Sequence, residues 1–143
     1  MRLSRAGSTV PFMHNSLEAL EKLLEDLTVR DELVREGKRS VFIALESVYS
    51  MDGDLAPIKD LVGLVERILP AGNGLVVVDE AHSTGVYGDC GRGIVCELGL
   101  EDRVFARLHT FGKALACNGG SVLPSAPMRF GFRDTYSCEA DIH

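Results

Sequence analysis

Leucines recur at positions 17, 20, 23, 24 and 27 with acidic residues between them, the spacing of a single apolar stripe on a helix. The pattern predicts a helix over residues 15–27. Asn15 or Ser16 is its N-cap, and Glu18 follows Asn15 by three, as in a capping box. The period then changes. SVFIAL at 40–45 is short, apolar and partly β-branched, which reads as a buried strand. MDGD at 51–54 is turn chemistry, and Pro57 opens a second helix that carries Ile58, Leu61, Val62, Val65 and Ile68. That helix ends at Leu69-Pro70, and Gly72-Asn73-Gly74 makes the return. LVVVD at 75–79 is the clearest strand, a continuous apolar run ending on a carboxylate. Gly85, Gly88, Gly91 and Gly93 follow closely, so the backbone there turns tightly or is closely approached. A short helix near Ile94–Leu98 and strands near Val104–Leu108 and Gly120–Leu123 complete the pass. Strand and helix alternate, which predicts an α/β fold with a mostly parallel sheet and flanking helices. No internal repeat or low-complexity segment interrupts it.

Composition narrows the function without supplying it. A chain of 143 residues has the length of one domain, enough to bury roughly 68–70% of its unfolded surface. A net charge of −6 and a pI near 5.2 argue against an electrostatic grip on nucleic acid or an anionic membrane. No stretch reaches the roughly 20 apolar residues of a membrane span. The opening MRLSRAGSTVPFMHN lacks the apolar centre of a secretory signal; the compartment stays open, with intracellular, cytoplasmic as the default. Cysteines at 90, 96, 117 and 138 form no C-x-x-C pair, and the histidines at 14, 82, 109 and 143 are scattered. Neither set has metal-ligand spacing, so no metal is expected and the cysteines read as reduced thiols.

In an open parallel α/β sheet, ligands bind beyond the carboxyl ends of the strands. Three polar clusters fall at such ends: Glu46–Ser50, Asp79-Glu80-Ala81-His82 and His109–Lys113. A carboxylate, an imidazole, hydroxyls and a lysine would converge on one rim. That set suits pyridoxal 5'-phosphate (PLP), which needs a lysine for a Schiff base, an acid to keep its ring nitrogen protonated, and donors for its phosphate. Burial and a cationic neighbour would help the lysine lose its proton.

LESVYSMDGDLAPI, VVVDEAHSTGVYGDCGRG and HTFGKALACNGG, in this order and at about these distances, resemble the α-oxoamine synthases, a family of PLP-dependent enzymes. The resemblance runs from about Met13 to Leu123. It implies a PLP-binding core at 13–123, part of the large domain of the fold-type I transferases. Residues 1–12 are left unassigned, and 124–143 form a divergent tail expected to be disordered. It implies Lys113 as the Schiff-base lysine and later general base, Asp79 as partner of the pyridine nitrogen and His82 as partner of the ring hydroxyl. Ser50 would contact the cofactor, and Thr110 would lie near its phosphate. The implied activity is PLP-dependent acyl transfer: decarboxylative condensation of an amino acid with an acyl-CoA, in an enzyme that is a homodimer when intact.

Plainer explanations stand beside each assignment. Asp79 can cap a following helix, His82 can sit in a turn, and Ser50 and Thr110 can close turns through local backbone bonds. Capping accounts for His14-Asn15, although this pair also matches the family's HN step, and MDGD shapes a turn. Glu46 and Glu80 are given no cofactor contact. The DEAH tetrapeptide is also a helicase signature, but no G-x-x-x-x-G-K-[ST] loop precedes Asp79. The resemblance further implies that a side chain stacking on the cofactor and a substrate-carboxylate arginine belong to segments outside this chain. On that expectation the chain is a truncated piece, with a tail reflecting a frameshift, a retained intron or a mispredicted gene end. A non-catalytic PLP-binding remnant and an aminotransferase-type enzyme remain the alternatives, and the amino acid and acyl group stay open.

Overall fold

The computed structural model describes residues 9–125. Helix α1 spans Leu17–Arg30, and Ser16 rather than Asn15 is its N-cap, with the hydroxyl accepting from the Ala19 N–H at 3.1 Å. Asp31 ends α1 and caps a single-turn helix, α2 (Glu32–Arg35), by accepting from the N–H groups of Leu33 and Val34. The hydrophobic pattern does not reveal α2, because Val34 is its one buried residue. Asn73, in the Gly72-Asn73-Gly74 return, donates through Nδ2 to the carbonyls of Val34 and Arg39, both at 2.9 Å. The return is therefore a tie as well as a turn.

Strand β1 is Val41–Glu46, helix α3 Ile58–Ile68 and strand β2 Gly74–Asp79. A 3-10 turn at Asp89–Gly91 leads to the short helix α4 (Ile94–Glu97), then to β3 (Ala106–Thr110) and β4 (Gly120–Pro124). The start of β3 falls two residues later than the apolar pattern suggests. Arg103 and Val104 both donate to the Leu100 carbonyl, which holds them in the preceding turn.

The four strands form one sheet in the order β1-β2-β3-β4, with β1, β2 and β3 parallel and β4 antiparallel at the edge. Ile43, Leu45, Val76 and Val78 point to one face, where Leu20 and Leu24 of α1 and Leu61, Val62 and Val65 of α3 close the core. Ile58, at the start of α3, is 0% exposed. Complete burial of such a side chain contributes roughly 1.5–3 kcal/mol. The opposite face is open: Phe42 and Ala44 on β1 and Val122 on β4 are exposed. No helix among the described residues is long and apolar enough to cross a membrane. The tail expected at 124–143 lies outside the described residues from 126 onward, as does the segment 1–8.

Candidate active site

Parallel register places Glu46, Asp79 and Leu108 side by side at the carboxyl ends of β1, β2 and β3. Side chains alternate along a strand, so Thr110, two residues past Leu108, shares the sheet face of Asp79. Asp79 Oδ1 accepts from the Ala81 N–H at 2.9 Å. The cap it makes belongs to a run of turns over 81–86 and not to a helix. His82 is half-buried within those turns.

The loop after β3 brings in the lysine. Lys113 Nζ lies 3.5 Å from Thr110 Oγ1, toward which it donates. Phe111 N–H donates to the Gly119 carbonyl, Cys117 N–H to Phe111 and Ala116 N–H to Lys113, which folds residues 111–119 back on themselves. Ala114 and Leu115 rest against Gly85, where an added Cβ would meet them at 3.2 and 3.1 Å. The lysine loop therefore packs on the glycine-rich turn that follows Asp79 and His82. Lys113 is exposed, as is Ser50, which stands in the turn after β1.

That turn is held from a distance. Val48 and Leu55 bridge its base, and Tyr49 N–H donates to the Asp54 carbonyl. Asp54 Oδ2 accepts from His14 Nε2 at 2.8 Å and from Asn15 Nδ2 at 2.7 Å. The His14 ring also stands edge-on to Tyr49, with centroids 4.3 Å apart. His14-Asn15 is thus not a helix cap but a clasp on the MDGD turn. The hydrogen bond from His14 holds the Asp54 carboxyl below its ordinary range, and burial raises Tyr49.

Beneath the rim lies a buried polar cluster drawn partly from the same three strand ends. Glu80 and Ser47 are 0% exposed and His109 is 6% exposed. Glu80 Oε1 accepts from the Val95 N–H at 2.9 Å and from Ser83 Oγ at 3.3 Å. Ser47 Oγ donates to Ser83 Oγ at 3.0 Å, tying the turn after β1 to the turns after β2. Thr84 Oγ1 lies 2.6 Å from the Glu80 carbonyl and 2.8 Å from His109 Nδ1. Burial lowers the proton affinity of His109, Glu80 opposes that, Arg107 reinforces it and Asp79 opposes it. Serines and a threonine following acidic residues were the available sequence signal, but it does not say that their partners lie on other strands.

A surface groove lies elsewhere, between α1 and α3, lined by Leu17, Glu21, Gly63 and Arg67 among others. It is open to solvent and holds none of the rim residues. Cys90 and Cys117 are exposed thiols and Cys96 is partly buried, with no disulfide among the described residues.

Comparison with known proteins agrees with the motifs. The chain is 56% identical over 129 residues to an 8-amino-7-oxononanoate synthase of Emericella nidulans, covering 90% of this chain and 31% of that protein. It is 43% identical to an aminoacyl transferase, sphA, of Aspergillus fumigatus, covering 90% and 27%. Among solved structures, a serine palmitoyltransferase from S. paucimobilis with bound PLP and myriocin superposes with a TM-score of 0.69 at 36% identity, covering 83% of this chain and 27% of that one. The chain thus spans less than a third of the length of these relatives. Its fold is the corresponding part of a PLP-dependent transferase domain, with a mostly parallel sheet. The pattern of aminotransferase class I and II matches residues 1–135, and the chain belongs to that family.

Proposed function

We propose that the rim formed by Ser50, Asp79, His82, Thr110 and Lys113 binds pyridoxal 5'-phosphate. Within a polypeptide of the relatives' length it would serve the condensation of an amino acid with an acyl-CoA, with loss of carbon dioxide. The observation that carries this reading is the register that sets Asp79 beside the strand delivering Thr110 and Lys113.

The residues present fit the cofactor chemically. Lys113 offers a primary amine for a carbonyl carbon, and Thr110 offers a hydroxyl within 3.5 Å of that amine for a phosphate oxygen. Asp79 has one carboxylate oxygen held by the Ala81 N–H, and the other would be available to pair with a ring N–H. His82 supplies a hydrogen bond to a ring hydroxyl, and Ser50 a contact from the neighbouring turn. When bound, PLP supplies an electron sink for the bonds broken at the amino-acid α-carbon. Lys113 holds the cofactor and then moves a proton at that carbon. Asp79 keeps the ring nitrogen protonated by ion pairing. The intact enzyme is proposed to act as a homodimer, with 8-amino-7-oxononanoate, the compound named for one relative, as a candidate product.

The test is to mix the protein with PLP, reduce with borohydride and map the labelled peptide by mass spectrometry. The expected result is a phosphopyridoxyl group on Lys113 that disappears in Lys113→Ala. Label scattered over surface lysines, or unchanged in the variant, sinks the assignment. In a polypeptide of full length, CoA release separates acyl transfer from amino-group exchange with a keto acid.

A further inference from the structure

Glu80 and His109 face each other in a way that bare lone pairs do not allow. Thr84 Oγ1 has one hydrogen, and the Glu80 carbonyl at 2.6 Å can only accept it. Toward His109 the same oxygen must therefore accept, so Nδ1 carries a hydrogen at 2.8 Å. A neutral ring then presents an unprotonated Nε2 to Glu80 Oε2, 3.6 Å away. Both atoms are buried, and neither has another hydrogen-bond partner among the described residues. Two acceptors confronted in a buried site cost the desolvation of each with nothing gained. A proton between them removes the conflict, and it draws a gap slightly longer than a hydrogen bond into range.

The place of the pair gives this contact leverage. Glu80 directly follows Asp79, and His109 directly precedes Thr110, on the helix-covered side of the sheet. Glu80 N–H also donates to the Leu108 carbonyl at 2.8 Å, so the side-chain contact continues the β2–β3 ladder past its last backbone bond. The turn is shaped around this carboxylate: a Cβ on Gly93 would lie 2.5 Å from Glu80 Oε2. The other charges facing the ring are Asp79 at the end of β2 and Arg107 on β3, whose guanidinium donates to Cys96 Sγ on α4.

We propose that Glu80 and His109 share one buried proton and act as a positioning pair, fixing the Asp79–His82 turn against the Thr110–Lys113 loop. The proton sharing stands on geometry alone, whereas its use for cofactor binding rests on the function proposed above. Neither residue touches the cofactor in this account.

Two measurements on the intact protein test it. Nitrogen NMR of the His109 ring should show hydrogen on Nδ1 and a protonated or strongly hydrogen-bonded Nε2. A ring protonated on Nε2 alone, or a free Nε2 lone pair, overturns the shared proton whether or not PLP binds. PLP affinity is then titrated against pH in the wild type, His109→Leu and Glu80→Gln. His109→Leu leaves Glu80 Oε2 without a partner and should weaken PLP roughly ten-fold, the equivalent of one unpaired buried polar atom. Glu80→Gln offers an N–H to Nε2 that does not titrate. Its affinity should stay near wild type and remain flat at high pH, where the wild type weakens as the proton leaves. Equal pH profiles in wild type and Glu80→Gln, or unchanged affinity in His109→Leu, overturn the positioning role. If no protein labels at Lys113, the cofactor reading has failed and the NMR result still decides the shared proton.

Discussion

Asp54 accepts on one carboxylate oxygen from His14 and Asn15, which lie 40 and 39 positions upstream in the chain. This contact joins the start of α1 to the turn that presents Ser50. The His14 hydrogen bond depresses the Asp54 carboxyl below its ordinary 3.8. A carboxyl depressed on folding stabilises the folded state above its unfolded value, and that contribution fades as pH falls through the folded one. Asp54→Ala should therefore be less stable than wild type near neutrality, and the difference should shrink as pH drops below about 4. Urea midpoints at several pH values check this; a difference constant with pH assigns the effect to packing and not to the carboxylate. The residues of the rim were legible in the sequence because each follows an apolar run, where strands end. The clasp was not. His14-Asn15 stands beside a helix start and so has a sufficient local explanation, and nothing in a linear pattern points forty residues away.

Secondary structure followed periodicity where an apolar stripe was long, as in α1, α3 and β2, and departed from it where hydrogen bonds decide. Helix α2 exists because Asp31 caps it, and β3 starts late because a turn holds Val104. Glycines marked the turns after β2, but their reason is visible only in three dimensions. Gly93 has φ +96 and sits against the Glu80 carboxylate. An alanine there meets both a disfavoured backbone region and a clash with a buried charge-bearing group. Gly93→Ala should destabilise the fold by more than about 1 kcal/mol. Gly53→Ala has positive φ (+70) but open space around it, so it should cost less. Thermal unfolding of the two variants side by side checks the order; equal losses would mean that backbone strain alone is at work.

On the scale of the whole molecule, the described residues put helices on one side of the sheet only. Strands β1 and β2 are apolar on both faces, so sequence alone does not say which face meets helices and which stays open. Phe42 is 59% and Val122 56% exposed on the open side, and β1 and β4 are the sheet's edges. Apolar surface and unpaired edges of this kind promote association between copies. Phe42→Ser in the 143-residue chain should lower light scattering at a given concentration, since that ring is a large exposed apolar group on this face. No change in scattering would place the association elsewhere. The strand order has a different kind of consequence. Among the described residues, β2, β3 and β4 each pair with the strand synthesised just before them. A ribosome working at about 5–20 residues per second delivers them a few seconds apart. The nascent chain can thus add strands one by one in the order of its own synthesis, and the lysine loop arrives when the surface that receives it is already in place.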